Sequence, residues 1–227
     1  MAAPLAAVRA CVFDAYGTLF DYASAAAGCR DLLGEQVAPL TSLWREKQLQ
    51  YTWLRSLQGR YADFEQITGD ALDFALATLR LSDPTLRGRL LNHYLELECF
   101  PEVPAVLSRL HAAGIRCAIL SNGSRGMLAV TLAHTDIAHF FEAVLSVEEV
   151  GVYKPHPKVY RLAVERLGLA PETIAFQSAN GWDAYGASAF GLRTVWCNRH
   201  AQAPERLPGK PDFEVRSLAD LPALLGL

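Results

Sequence analysis

The sequence predicts an α/β protein, a parallel sheet covered by helices on both faces, with a helical bundle inserted after the first strand. Two patterns carry that prediction. From about residue 103 onward, short apolar β-branched runs alternate with helix-length segments, the rhythm of βαβ units whose strands are buried on both sides. Between residues 22 and 100 strand signals vanish, and hydrophobic residues recur at three- and four-residue steps instead. A third pattern bears on function: the apolar strands end abruptly in polar residues. Val12-Phe13 runs into Asp14-Ala15-Tyr16-Gly17-Thr18, Leu120 into Ser121-Asn122-Gly123, and Gln177 into Ser178-Ala179-Asn180-Gly181-Trp182-Asp183. Parallel sheets hold ligands at the C-terminal edge of their strands, so these side chains are expected to gather at one rim. Aspartate is also a common turn or helix cap, and the first of these stretches alone leaves both readings of Asp14 open.

In chain order, the run over 8–13 reads as a central strand ending at Asp14. Helices follow over 40–57, with Leu43, Trp44, Leu49, Trp53 and Leu57 among polar residues, and over 64–79, with Phe64, Ile67, Ala71, Leu72, Ala75 and Leu79. Ser82-Asp83-Pro84 is a start signal for a third helix ending near Cys99. Pro101 and Pro104 then mark the return to alternation: helix 103–113, strand 115–120, helix 125–133, a short strand 143–146, helix 157–167 and strand 173–177. The chain finishes with helix 183–190, strand 194–197, a small edge strand 213–215 and a last helix 218–225, with a proline-rich loop over 201–212.

The 227 residues suffice for one substantial core, or one core and a small second module, without disulfides or metals. A net charge of −3 with dispersed lysines and arginines offers no footprint for nucleic acid or an anionic membrane. No apolar run approaches the length of a membrane span, and residues 1–7 are too short and uncharged for a signal peptide, so the expected location is the cytoplasm. The five cysteines have no paired spacing and read as small buried hydrophobes, Cys11, Cys117 and Cys197 in strand-like runs, Cys29 and Cys99 in helix-like ones. With no HExxH or CxxC spacing around the six histidines, neither a metal site nor a cofactor is expected.

The Asp14-x-Tyr16-Gly17-Thr18-Leu19 opening, the Ser121-Asn122-Gly123 strand end, the Lys154-Pro155 pair and the Ser178-x-Asn180-Gly181-Trp182-Asp183 stretch occur in one order around an early helical insertion. In these features the chain resembles the haloacid dehalogenase superfamily, and within it the L-2-haloacid dehalogenases, over nearly its whole length. The resemblance implies a Rossmann-like core of residues 1–21 and 101–227 and a helical-bundle cap of residues 22–100. It implies Asp14 as nucleophile, a role that suits a group ionised at neutral pH and needing no base. Superfamily phosphatases carry a second aspartate two residues on and a second acid in the last motif; here those positions hold Tyr16 and Ala179. A departing halide needs no proton, so the missing acid fits carbon–halogen cleavage, and two lone carboxylates make a poor magnesium cage.

Matched residue by residue, the resemblance implies that Arg45 and Asn122 receive halide and that Ser121 and Lys154 hold the substrate carboxylate and orient the two acids. Thr18, Tyr160, Ser178, Asn180 and Asp183 match further active-site positions, and Tyr16, Leu49, Phe64 and Trp182 match an apolar wall. Taken singly these residues read differently. Arg45 is an ordinary surface charge, Thr18 a turn hydroxyl, Tyr160 a helix-surface aromatic, and the wall simple packing. The implied reaction takes a 2-haloacid to a 2-hydroxy acid through an ester on Asp14, in a homodimer with Trp44 and Trp53 as contact candidates or bundle filling. A phosphatase on the same scaffold and a non-catalytic binding protein are the alternatives.

Overall fold

The computed structural model describes Leu5 and residues 7–227; residues 1–4 and 6, part of the opening segment read above for a signal peptide, lie outside the described residues. Among the described residues six strands form one sheet: β1 (Ala10–Phe13), β2 (Arg116–Ser121), β3 (Ala143–Ser146), β4 (Ile174–Ser178), β5 (Arg193–Cys197) and β6 (Phe213–Val215). Their order is β3-β2-β1-β4-β5-β6 with every pair parallel. Every residue of β1 and β4 is buried, as strands covered on both faces must be. The small strand at 213–215 does close an edge, as expected.

Chain direction across the sheet reverses beside β1, whose neighbours are β2 and β4. Such a switch point opens a crevice at the carboxyl ends of the strands. Register sets its contents: Phe13 is level with Ile119 on one side and Gln177 on the other. The next residues on these strands are Asp14, Leu120 and Ser178, so the polar strand ends meet at a single edge.

Between β1 and β2 the chain is helical, with α1 (Ala23–Ala27), α2 (Arg30–Leu33), α3 (Val37–Leu57), α4 (Phe64–Leu79), α5 (Leu86–Leu95) and then α6 (Val103–Ala112). The long pair α3 and α4 pack on one another, α3 burying Leu40, Trp44, Gln48 and Thr52 at a strict four-residue step. Asp63 caps α4 by accepting from Gln66 N–H, and Arg80 ends it in the left-handed conformation. The chain leaves and re-enters the sheet side by side, with Phe20 bridging antiparallel to Cys99 and Phe100 N–H donating to Leu19 O at 3.0 Å. That bridge explains two departures from the sequence reading. Helix α5, expected to run to near Cys99, stops at Leu95, and Cys99 is extended because the returning chain must pair with the departing one.

Beyond the sheet entry lie α7 (Arg125–Thr135), α8 (Pro157–Leu167), α9 (Gly181–Phe190) and α10 (Leu221–Leu225). Ser124 and His156 cap α7 and α8 by accepting from Met127 and Lys158 N–H. The final helix is split, a 3-10 turn over Leu218–Asp220 leading into α10 with Pro222 in its first turn.

Candidate active site

Asp14 follows β1 directly, and its N–H donates to Gln177 O at 2.9 Å, which holds it beside the end of β4. Gly17 turns the chain at φ +87°, a conformation that costs glycine nothing and a side chain strain. The turn brings the Thr18 hydroxyl back to donate to Asp14 Oδ2 at 3.0 Å. Asn180 Nδ2 donates to the same oxygen at 2.8 Å, and Ser178 Oγ approaches it at 3.4 Å. Asp14 Oδ1 accepts from Lys154 Nζ at 3.0 Å, and that ammonium also donates to Asp183 Oδ2 at 2.8 Å. Tyr160 completes the set by donating to Asp183 Oδ1 at 2.8 Å.

The heart of this network is buried. Lys154 and Asp183 are wholly buried, and Asp14 is 6% exposed. Burial pushes the Lys154 ammonium down, but Asp14 and Asp183 outweigh it and hold its pKa above the ordinary lysine value. For Asp183 burial dominates: it raises the carboxyl above the usual range, Asp14 adds repulsion, and Lys154 only partly offsets the two. Burial, followed by the Asp183 charge, drives the Tyr160 phenol well up, so Tyr160 serves as a donor.

At the end of β2, Ser121 Oγ accepts from Gly123 N–H at 3.0 Å. Asn122 Oδ1 accepts from Lys154 N–H at 3.1 Å, which leaves Nδ2 as the end able to donate to an anion. Arg45 reaches in from α3, with Nη2 3.3 Å from Asn180 Oδ1 and its guanidinium carbon 4.9 Å from the Tyr22 ring centroid. A small cavity of about 10 Å³ adjoins it, lined by Tyr22, Thr41, Trp44, Arg45, Gln48 and Tyr94. Tyr16 lies 5.4 Å from Phe64 and 5.5 Å from Tyr94 between ring centroids. Gly123 makes room for it, since a Cβ there would stand 2.8 Å from Tyr16 Cε2.

The structure thus gathers Asp14, Thr18, Lys154, Tyr160, Ser178, Asn180 and Asp183 into one network and joins Arg45 to it through Asn180. Ser121 and Asn122 flank it, and Tyr16 and Phe64 form an aromatic wall. Leu49 and Trp182 stand at the margin, half-buried, Leu49 one turn past Arg45 and Trp182 edge-on to Trp53. Tyr160 is no surface aromatic, because it is fully buried. Trp44 is not available as a dimer contact: it is buried in the bundle and donates to Thr68 O at 2.9 Å.

Sequence reading passed over Gln48, Thr68, Tyr94, Tyr153 and Arg199. Tyr153 donates through its N–H to Ser56 Oγ at 3.1 Å and through its hydroxyl to Ala62 O at 2.7 Å, fastening the loop before Lys154 to the inserted helices. A signal existed for Gln48. It lies one turn after Trp44 on the apolar stripe of α3, where a polar residue requires a partner.

Fold and site together define a class, an enzyme of the doubly wound α/β type with a buried Asp–Lys–Asp cluster at the switch point of its sheet. Residues 8–191 match the family model described as haloacid dehalogenase-like hydrolase, and the chain belongs to that family. It is 44% identical to (S)-2-haloacid dehalogenase 1 of Pseudomonas sp. (strain CBS-3), covering 96% of each chain. It is 41% identical to a dehalogenase solved with an intermediate complex, TM-score 0.95, covering 97% of this chain and 98% of that one. L-2-haloacid dehalogenase from Xanthobacter autotrophicus with chloropropionic acid covalently bound aligns at 37% identity and TM-score 0.90, over 96% of this chain and 98% of that one.

Proposed function

We propose that the protein hydrolyses short L-2-haloalkanoic acids to D-2-hydroxy acids. The observation that carries this reading is Lys154 bridging Asp14 and Asp183, with the cationic Arg45 reaching the same cluster. An Asp14 carboxylate oxygen attacks the α-carbon in line, the carbon–halogen bond breaks, and the halide leaves with the bonding pair toward Arg45 and Asn122. The substrate carboxylate is held by Ser121, Lys154 and backbone amides after Asp14. Positioning of this kind is worth up to about 7–11 kcal/mol. Water then attacks the carbonyl carbon of the Asp14 ester, its proton passing to Asp183, while Lys154, Ser178 and Asn180 hold the site. Cleavage of the acyl–oxygen bond, with the Asp183 proton passing to the departing alkoxide, frees the hydroxy acid, inverted at carbon, and Asp14 loses its proton to solvent to restore the carboxylate. The raised Asp183 pKa supports its part as base. The covalently bound chloropropionic acid of the Xanthobacter enzyme supports an ester intermediate.

Residues 22–100 act in this reading as a cap that brings Arg45 to a core of residues 1–21 and 101–227. No metal or cofactor takes part: Lys154 supplies the cation between the two acids, and Tyr16 and Ala179 stand where phosphatases place carboxylates. The assembly is a homodimer, a reading supported by the exposed Leu54 and Leu57 of α3. Five free cysteines suit a reducing cytoplasm, and no helix among the described residues is long and apolar enough to cross a membrane.

A single turnover in heavy-oxygen water tests the mechanism: the label should enter Asp14 and be absent from the first hydroxy acid released. Label in that first product means direct attack by water. No halide from any chloro-, bromo- or fluoroacid would remove the activity altogether.

A further inference from the structure

We infer that Gln48 is a positioning residue for the departing halide, a neutral amide that fixes the Arg45 guanidinium without cancelling its charge. This rests on the dehalogenase reading. Arg45 Nη1 donates to Gln48 Oε1 at 2.8 Å, while Nη2 reaches Asn180. The remaining N–H groups of the fork are left for an anion.

Proton accounting fixes which way the Gln48 amide faces. Thr68 Oγ1 donates its only hydrogen to Phe64 O at 2.6 Å. It can therefore only accept from Gln48, so the atom 2.8 Å away is the amide nitrogen. The oxygen is then turned toward Arg45. Tyr94 Oη sits 3.1 Å from Nε2 and 3.2 Å from Oε1, closing the polar cage. Burial raises the Tyr94 phenol, so it too remains protonated. Gln48 is 1% exposed, and its cage draws on α3, α4 and α5, so the amide cannot turn without breaking bonds on three helices. The same cage reaches the aromatic wall, because Tyr94 stacks on Tyr16 and Thr68 binds the carbonyl of Phe64.

Chemistry explains why the partner is an amide. A carboxylate at this place would accept the same N–H but would pair with Arg45 and compete with the halide for its charge. A neutral acceptor orients the fork and leaves the field intact for the transition state, when negative charge appears on the leaving atom.

The test uses the full-length protein with L-2-chloropropionate, comparing Gln48→Glu, which keeps size and an acceptor, with Gln48→Met, which keeps the cation but removes the brace. The Thr68 hydroxyl can turn to donate to the carboxylate, so the fold should survive. Gln48→Glu is expected to lower kcat for halide release by about 10²–10³, in line with the loss of one preorganised donor. Inhibition by added bromide should weaken at least about tenfold, while KM changes much less and Tm holds. The methionine variant should fall between the two, and it carries the same bromide readout if the glutamate variant does not fold. Wild-type kcat and bromide inhibition in both variants would overturn the inference, as would a kcat loss with bromide inhibition unchanged. If the unaltered protein releases no halide, the dehalogenase reading fails and takes this inference with it.

Discussion

Lys154 is the residue on which the site turns, because its buried ammonium lies 3.0 Å from one carboxylate and 2.8 Å from another. Two buried anions without it would repel one another, and one would take up a proton. Lys154→Met, similar in length but uncharged, is expected to lose halide release and to destabilise the fold by about 3–5 kcal/mol, the usual result of removing one partner from a buried pair. Urea unfolding and halide assays check both, and an active variant of unchanged stability would remove Lys154 from its place. This residue was legible in the sequence only through its motif, since a lysine before a proline is ordinary loop chemistry by itself. Gln48 was not legible: its role depends on Thr68 and Tyr94, 20 and 46 residues away.

Among the elements, the crossing between β1 and the inserted helices depends on Arg199, from the loop after β5. Its Nη2 donates to Thr18 O at 2.9 Å, its Nη1 donates to Glu102 Oε1 at 2.6 Å, and its guanidinium carbon sits 3.7 Å from the Phe100 ring centroid. One side chain thus holds both strands of the crossing, 181 residues along the chain from Thr18. Arg199→Ala is expected to lower stability by about 1.5–3 kcal/mol, the worth of hydrogen bonds to a charged group. It should also speed amide exchange at Phe100 and Asp21 while leaving β4 protected. Uniform exchange across the protein would argue against a local clamp. Helix α3 teaches a similar lesson: its period was plain, but the exact polar partners of its buried stripe were not.

For the whole molecule, the raised pKa of Asp183 has opposite consequences for activity and for stability. Because the folded state binds this proton more tightly than the unfolded chain, the group favours folding in acid, and the gain disappears as pH rises through the raised value. In the proposed mechanism activity runs the other way, since a protonated Asp183 could not take the proton from water. The decay of the ester is expected to slow as pH falls and Asp183 takes up a proton. A pH profile of single-turnover ester decay measures this, and a rate independent of pH across the acid range would count against Asp183 as the base. Lys154 acts at the alkaline end. Its folded pKa is raised, so its stabilisation is complete below the unfolded lysine value of about 10.4 and is lost as pH rises through the folded one.

The sequence by itself determined the parallel sheet, the helical insertion and the polar strand ends, because hydrophobic period and strand-edge chemistry are local properties. It also carried the motif that marks Asp14, Lys154 and Asp183. Only the tertiary structure decided which donors reach which oxygen, that Trp44 faces inward, that α5 yields to the Phe20–Cys99 bridge, and that Gln48 braces Arg45. Those outcomes depend on burial and on contacts between residues far apart in the chain, where an unpaired polar atom is costly and its partner can come from any element that packs against it.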